Sequence, residues 1–423
     1  MNLDNVKIAV IGLGYVGLPL AVEFGKKYRT IGFDIKESRV QELNDGVDST
    51  RELSSDELSL SNNIVFSSIE SDIVESNVYI VTVPTPIDDH RQPDLTPLIK
   101  ASELLGRVLS KGDVVIYEST VYPGATEEDC IPVVEKVSGL ELNKDFFAGY
   151  SPERINPGDK EHPVSKIMKV TSGSTPQAAD FVDNLYKSII VAGTFKAASI
   201  KVAEASKIIE NTQRDVNIAL VNELSIIFSH IGIDTKDVID ASSTKWNFIK
   251  YTPGLVGGHC IGVDPYYLVH KSMASGYIPD IIRKSREIND GMAKFSASKL
   301  VKSLIKKGKA IKGAKVLLMG MAFKENCPDI RNTKVVDLLS ELEEYEMDVE
   351  VYDPWVSFED ASCEYGITLL DSPAVNSYEV IILAVGHREF LCGEIDVSEY
   401  GVEDHMIFDL KGVLGKKENV LRL

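Results

Sequence analysis

Lys7-Ile-Ala-Val-Ile-Gly12 is an unbroken apolar run that ends in Gly12-Leu-Gly14-Tyr15-Val16-Gly17, and a second run closes on an acid at Ile31-Gly-Phe-Asp34. A run with no polar alternation reads as a strand buried on both faces. Between the two, Leu18 to Tyr28 carries apolar residues at Leu20, Val22 and Phe24, which predicts a helix. Strand, glycine turn, helix and strand with a terminal acid is the full setting of a dinucleotide-binding unit, and Asp34 falls close to the spacing of about 20 residues expected for its acid. The turn needs glycines so that a pyrophosphate can lie against the backbone at the helix N-terminus. Asp34 would accept hydrogen bonds from ribose hydroxyls and repel a 2′-phosphate, so the predicted cofactor is NAD rather than NADP.

The C-terminal third repeats the plan. Lys315-Val-Leu-Leu-Met-Gly320 parallels Lys7 to Gly12, and Asp348 to Asp353 parallels Thr30 to Asp34. Val380 to Val385 and Met406 to Asp409 parallel the runs at Val78 to Val83 and Val114 to Tyr117. The glycine fingerprint is missing there; Gly320 is followed by Met-Ala-Phe323-Lys324-Glu-Asn-Cys-Pro-Asp-Ile-Arg331. Lysine and arginine at that position suit a nucleotide phosphate held by charge. Between the two units, Ala197 to Ile231 keeps a helical pattern over about 50 Å. Gly232 is placed to end that helix and Asp234 to cap the next. The predicted class is α/β: two Rossmann-like doubly wound parallel-sheet domains joined by a long central helix.

A chain of 423 residues is too long for one ordinary core. The net charge of −19 disfavours nucleic acid or an anionic membrane as partner. The apolar runs are strand-length, and the N-terminus lacks the apolar core of a signal peptide, so a cytoplasmic protein is expected. Five scattered cysteines (130, 260, 327, 363, 392) without a CxxC pair fit a reducing compartment and argue against a disulfide framework or a zinc site.

One cysteine stands apart. Pro253-Gly254-Leu255-Val-Gly257-Gly258-His-Cys260-Ile-Gly262-Val-Asp264 puts a thiol in a glycine-rich loop. Three glycines in six residues suggest a ligand-contacting loop, and a thiol there is a candidate nucleophile that would trap an aldehyde for a second oxidation. The bland reading is a small buried hydrophobe, the usual fate of a free cysteine. His259 is a candidate for lowering the thiol pKa. Lys207 and Asn211 are i,i+4 neighbours on the long helix, a cation and a carboxamide fit to hold an alkoxide or carbonyl oxygen, although a solvated polar stripe has the same spacing. Glu153, between Pro152 and Pro157, is either a surface turn acid or a general base for thioester hydrolysis.

These motifs together resemble the UDP-glucose/UDP-mannose-type nucleotide-sugar 6-dehydrogenase family, and within it the branch acting on UDP-N-acetylhexosamines. The resemblance runs end to end: Gly-Leu-Gly-Tyr-Val-Gly-Leu-Pro at 12–19, Thr-Val-Pro-Thr-Pro at 82–86, Glu-Ser-Thr at 118–120, Ser-Pro-Glu-Arg-Ile at 151–155, Lys207/Asn211, the 257–264 loop and the 323–331 segment. It implies an NAD-binding domain over 1–196, a central helical dimerisation and catalytic-loop domain over 197–300, and a UDP-binding domain over 301–423. It also implies a four-electron oxidation of a sugar C6 hydroxyl to a carboxylate with two NAD, in a homodimer or higher homo-oligomer, for surface polysaccharide.

Carried over by position, Cys260 is the nucleophile, Lys207 and Asn211 stabilise the oxyanion, Asp264 and Thr120 handle water and proton, and Glu153 assists hydrolysis. Gly12, Gly14, Tyr15, Val16, Gly17, Asp34, Arg39, Val83, Pro84, Thr85, Ser119, Thr120 and Arg331 fall on the cofactor side. Glu153, Arg154, Ile155, Lys207, Asn211, Lys245, Tyr251, Gly254, Leu255, Gly257, Phe323, Lys324 and Lys411 fall on the substrate side. Arg154-Ile155 replaces the Phe-Leu of the glucose-type branch, which argues against UDP-glucose. The family's cross-subunit arginine falls at Thr244, with Lys245 beside it as the candidate substitute. The resemblance favours the gluco epimer, UDP-N-acetylglucosamine, over UDP-N-acetylgalactosamine or UDP-N-acetylmannosamine. A two-electron hydroxy-acid dehydrogenase and a non-enzymatic NAD-sensing protein are the readings from other classes.

Overall fold

The computed structural model describes residues 3–88, 90–155 and 163–423. The chain divides into two compact units, Met1–Glu210 with Tyr266–Tyr277, and Asn211–Pro265 with Ile278–Leu423.

The first unit is built on eight strands: β1 (Lys7–Ile11), β2 (Arg29–Phe33), β3 (Ile64–Ser67), β4 (Val78–Val81), β5 (Val114–Tyr117), β6 (Phe147–Tyr150), β7 (Lys169–Gly173) and β8 (Thr194–Lys196). Their order is β3-β2-β1-β4-β5-β6-β7-β8. Pairing is parallel through β6, with Ile8 opposite Thr30 on one side and Val78 on the other. It turns antiparallel between β6 and β7. Ile8, Ala9 and Val10 are completely buried, as an unbroken apolar run on a sheet covered on both faces must be. The predicted Leu18–Tyr28 helix is shorter, Gly17–Gly25. Its end tightens into a turn, where Lys27 and Tyr28 both donate their N–H to the Phe24 carbonyl.

The second unit carries β9 (Lys315–Met319), β10 (Asp348–Tyr352), β11 (Tyr378–Leu383), β12 (Gly401–Asp409) and β13 (Val420–Arg422), all parallel, in the order β10-β9-β11-β12-β13. This is the β2-β1-β4-β5 order of the first sheet with the β3 equivalent missing, so the repeat seen in the sequence is a repeat of topology. Its core gathers Val316, Leu318, Val380, Ile382 and Phe408 against Leu300, Leu304, Leu338 and Leu342 of the covering helices.

The long helix runs Ile200–Ile231, 32 residues without a glycine or proline. It starts three residues later than predicted, where the Ser199 hydroxyl accepts the Val202 N–H in the manner of an N-cap. Gly232 ends it in a left-handed conformation, and the Ile233 N–H reaches back to the Phe228 carbonyl, a Schellman closure. Asp234 caps the following helix by accepting the Asp237 N–H. Among the described residues no helix is long and apolar enough to cross a membrane.

Candidate active site

In the first unit the fingerprint turn lies at the carboxyl ends of β1 and its neighbours, the edge where open parallel sheets take ligands. Its three glycines do different work. Gly12 has φ +98°, and a Cβ there would stand 3.1 Å from the Thr82 carbonyl oxygen; on Gly17 it would lie 1.8 Å from that of Gly12. A Cβ on Gly14 would meet nothing within 4 Å, so this glycine is the one that keeps open space in front of the turn. Asp34 is held still: its carboxylate accepts the Leu13 N–H at 2.9 Å and the Lys36 N–H at 2.9 Å. Arg39 is buried, donating to the Leu13 carbonyl and to Asp48 at 2.8 Å and pairing with Glu42, so it braces the turn from behind. Tyr15 and Val16 are half-buried in the turn itself. Thr82 Oγ1 donates to the Gly12 carbonyl, tying the Val83-Pro84-Thr85 segment to the turn, and Ser119 Oγ donates to the Val83 carbonyl at 2.6 Å. Thr120 follows, half-buried.

Glu153 follows β6 and is buried. Its Oε1 accepts the Ile155 N–H, while Oε2 has no hydrogen-bond partner among the described residues and stands 3.7 Å from Lys169 Nζ. Arg154 turns away to the Met168 carbonyl and to Glu210 at 2.8 Å, and Ile155 packs against the sheet core. Pro157, the second proline flanking Glu153, lies outside the described residues. Lys207 is buried on the long helix. The residues that sequence reasoning missed are behind Glu153: Glu118, Lys169 and Tyr186, all buried. Lys169 donates to Glu118 at 2.6 Å, and the Tyr186 hydroxyl donates to the other Glu118 oxygen. Burial pushes the Glu118 carboxyl above its ordinary value, with Glu153 adding to the rise and Lys169 and Tyr186 opposing it.

In the second unit the thiol loop is fixed at both ends. The Cys260 carbonyl accepts the N–H groups of Val263 (3.1 Å) and Asp264 (2.8 Å), where the Asp264–Ala274 helix starts. Cys260 is half-buried, whereas Cys130 and Cys327 are buried and Cys363 and Cys392 exposed. Asn211 donates from its amide to Asp264 Oδ2 at 2.5 Å, which places the carboxamide and the carboxylate together.

The loop glycines are explained differently from the sequence reading. A Cβ on Gly257 would lie 2.5 Å from the Asn332 carbonyl oxygen, and one on Gly258, at φ +82°, 2.7 Å from the Phe323 ring. Both are required by packing against the chain's own 323–334 segment. Gly254 is locked by a reciprocal pair with buried Asn222 (2.8 and 3.1 Å), which continues to Asn289 and Asp215. His259 has its ring edge-on to Phe323 and its Nδ1 toward Asp329 and Arg331. Arg331 forms a close pair with Asp329, Nη2 to Oδ2 at 2.6 Å. The Lys324 ammonium lies over the Phe323 ring. Tyr251 is half-buried and Leu255 packs on the second core. Lys411 lines a cavity of about 210 Å³ with Lys236, Lys250, Pro253 and Arg422. Lys245 is exposed, as is Thr244.

Family models account for the chain in three stretches: the NAD binding domain of the UDP-glucose/GDP-mannose dehydrogenase family over residues 6–190, its central domain over 201–291 and its UDP binding domain over 317–416. This chain belongs to that family. It is an NAD-dependent nucleotide-sugar dehydrogenase, and the open space at Gly14 beside the fixed Asp34 carboxylate fits the cofactor. The hydroxy-acid and non-enzymatic readings fall away. Relatives within the family include a UDP-N-acetyl-D-glucosamine 6-dehydrogenase of Pseudomonas aeruginosa, 61% identical over all of both chains, and one of Salmonella typhi, 54% identical over all of both. Protein CapL of Staphylococcus aureus is 51% identical, covering 98% of this chain and 97% of CapL. Among solved structures, the UDP-D-ManNAc dehydrogenase of Pyrococcus horikoshii superposes with a TM-score of 0.88 at 28% identity, over 99% of this chain and 98% of that one. The UDP-N-acetyl-mannosamine dehydrogenase Cap5O of S. aureus gives 0.82 at 29% identity, over 98% and 97%.

Proposed function

We propose that this dehydrogenase oxidises the C6 hydroxyl of UDP-N-acetylglucosamine to the uronic acid, in the cytoplasm, as a homodimer or larger homo-oligomer, for surface polysaccharide. The observation that carries the four-electron course is the half-buried Cys260 on a loop pinned to Asp264, with Asn211 2.5 Å from that carboxylate. The choice of sugar rests on the 61% and 54% identity to the two relatives bearing that activity's name. UDP-N-acetylmannosamine relatives are more distant, at 33% and below.

NAD, held by Gly12, Gly14, Gly17 and Asp34, supplies hydride acceptance, and two NAD are used per sugar. The chain's residues do the rest. The Cys260 sulfur adds to the C6 aldehyde left by the first oxidation, forming a C–S bond and an alkoxide that takes a proton. Lys207 and Asn211 are assigned to hold that oxygen, since a cation and an amide N–H both stabilise developing negative charge. The second oxidation converts this thiohemiacetal to a thioester. Glu153 takes a proton from water, hydroxide adds to the thioester carbon, and the C–S bond breaks to return the thiol. In sum, R–CH2OH, two NAD+ and water give R–COOH, two NADH and two protons.

The test is NADH formed per sugar consumed, measured with UDP-N-acetylglucosamine, UDP-N-acetylgalactosamine, UDP-N-acetylmannosamine and UDP-glucose. Two NADH per sugar, with the highest kcat/KM for UDP-N-acetylglucosamine, is expected. One NADH per sugar refutes the thioester course, and a higher kcat/KM for any other sugar refutes the substrate.

A further inference from the structure

Two buried carboxylates in the first unit share one ammonium. Lys169 opens β7 with its side chain almost wholly enclosed, 2.6 Å from Glu118 and 3.7 Å from Glu153. The Tyr186 hydroxyl, also buried, holds the second Glu118 oxygen, and its ring lies 5.5 Å from the Lys169 ammonium. Both Glu118 oxygens are thus engaged: one takes the lysine, the other the tyrosine. Those of Glu153 are not both engaged, because its Oε2 is buried with no hydrogen bond among the described residues. An unsatisfied carboxylate oxygen away from water is costly, and it is the one oxygen of the pair left open to a proton donor. A direct lysine contact would occupy that oxygen. Here the lysine is kept from making one.

We propose that Glu118 is a positioning residue that holds the Lys169 ammonium off Glu153, too far to occupy the oxygen that takes the proton. The proposal rests on the reading of Glu153 as the base in thioester hydrolysis. Among the described residues, the other titratable groups are placed so that they do not supplant this arrangement. Tyr186 on the Pro176–Lys187 helix is engaged by Glu118, and Arg154 is paired with Glu210 of the long helix.

The two flanking substitutions therefore move the acid limb of the pH–rate profile in opposite directions. Glu118→Gln removes the anion that anchors Lys169 and leaves Glu153 as its carboxylate, so the limb moves down by about one unit or more. Lys169→Met removes the cation, and the limb moves up by a similar amount. Lys169→Arg restores the charge and brings the limb back toward wild type. The measurement is kcat with NAD and UDP-N-acetylglucosamine across pH, together with mass spectrometry of the acyl adduct on Cys260 in quenched samples. KM for NAD is expected to be unchanged. A Glu118→Gln profile that superposes on wild type, or moves in the same direction as that of Lys169→Met, overturns the proposal. If Glu118→Gln fails to fold by thermal melting, an unmoved limb in Lys169→Met overturns it alone. Glu153→Gln separates the two levels: hydrolysis of the acyl adduct at the wild-type rate in that variant removes the base assignment itself, whereas a stable adduct there combined with an unmoved limb in Glu118→Gln removes only the role given to Glu118.

Discussion

Gly257→Ala is a one-carbon change whose consequence can be worked from coordinates. The new Cβ would fall 2.5 Å from the Asn332 carbonyl oxygen and 2.9 Å from the Lys334 nitrogen, about 0.9 Å inside the 3.4 Å at which ordinary contact begins. Both obstacles are backbone, so no side chain can swing aside. The Asn332 carbonyl also accepts the Gly258 N–H at 3.1 Å, and moving the loop away lengthens that bond. Cys260, three residues on, must follow. A displacement near 1 Å in a reacting group costs about 100-fold in rate, and overpacking costs about 1–3 kcal/mol in stability. The expected result is therefore a kcat about 100-fold lower. NAD affinity should be intact, because Asp34 and the fingerprint turn belong to the first unit. The assay is NADH production at saturating NAD and UDP-N-acetylglucosamine, with the iodoacetamide reaction rate of Cys260 as an independent report on the loop. A kcat within twofold of wild type would refute the claim that this contact sets the thiol's position.

Cys260→Ser is expected to abolish release of uronic acid while NAD binding by titration stays at the wild-type level, since the thioester needs sulfur as leaving group; uronic acid formed at the wild-type rate would contradict the nucleophile assignment. Glu204, buried against the Gly124 and Thr126 N–H groups, is pushed up to about 7 by its burial. Its carboxyl therefore holds a proton more tightly in the folded chain than unfolded. That contribution is fully present below the ordinary 4.5 and is lost as pH rises through about 7, amounting to about 3 kcal/mol. Urea melts of Glu204→Gln should show a shallower fall in stability across that window than wild type, and parallel curves would rule the residue out as the source.

What could be read from the sequence was what local spacing encodes. Asp34 directly follows the strand paired with β1, Lys207 and Asn211 lie one helical turn apart, and Gly232 and Asp234 sit where a helix must stop and restart. Groups joined only by tertiary packing gave no such sign. Glu118 meets Lys169 across 51 positions and Tyr186 across 68, on elements whose order in the sheet no period reveals. A lysine opening a strand run at Lys169-Val-Thr-Ser was the available hint, because a buried cation requires an anion. The glycines at 257 and 258 were recognised as sites of close approach, but a sequence does not say whether a ligand or the chain itself approaches, and here Asn332 and Phe323 do.

Asp353 directly follows β10 as Asp34 directly follows β2, yet its hydrogen bonds are of a different kind. Its buried carboxylate accepts the N–H groups of Met321, Ala322 and Trp355 and stands 3.1 Å from His387, whose other ring nitrogen accepts the Asn326 N–H. The same topological address therefore carries the acid proposed to meet the ribose in one half of the molecule and a structural keystone in the other. Duplication of a fold preserves where an acid can stand, and the hydrogen bonds it then acquires decide whether it still has a lone pair to offer a ligand. Replacing Asp353 would loosen the segment that presents Phe323 and Lys324, and no cofactor preference would be exposed by doing so.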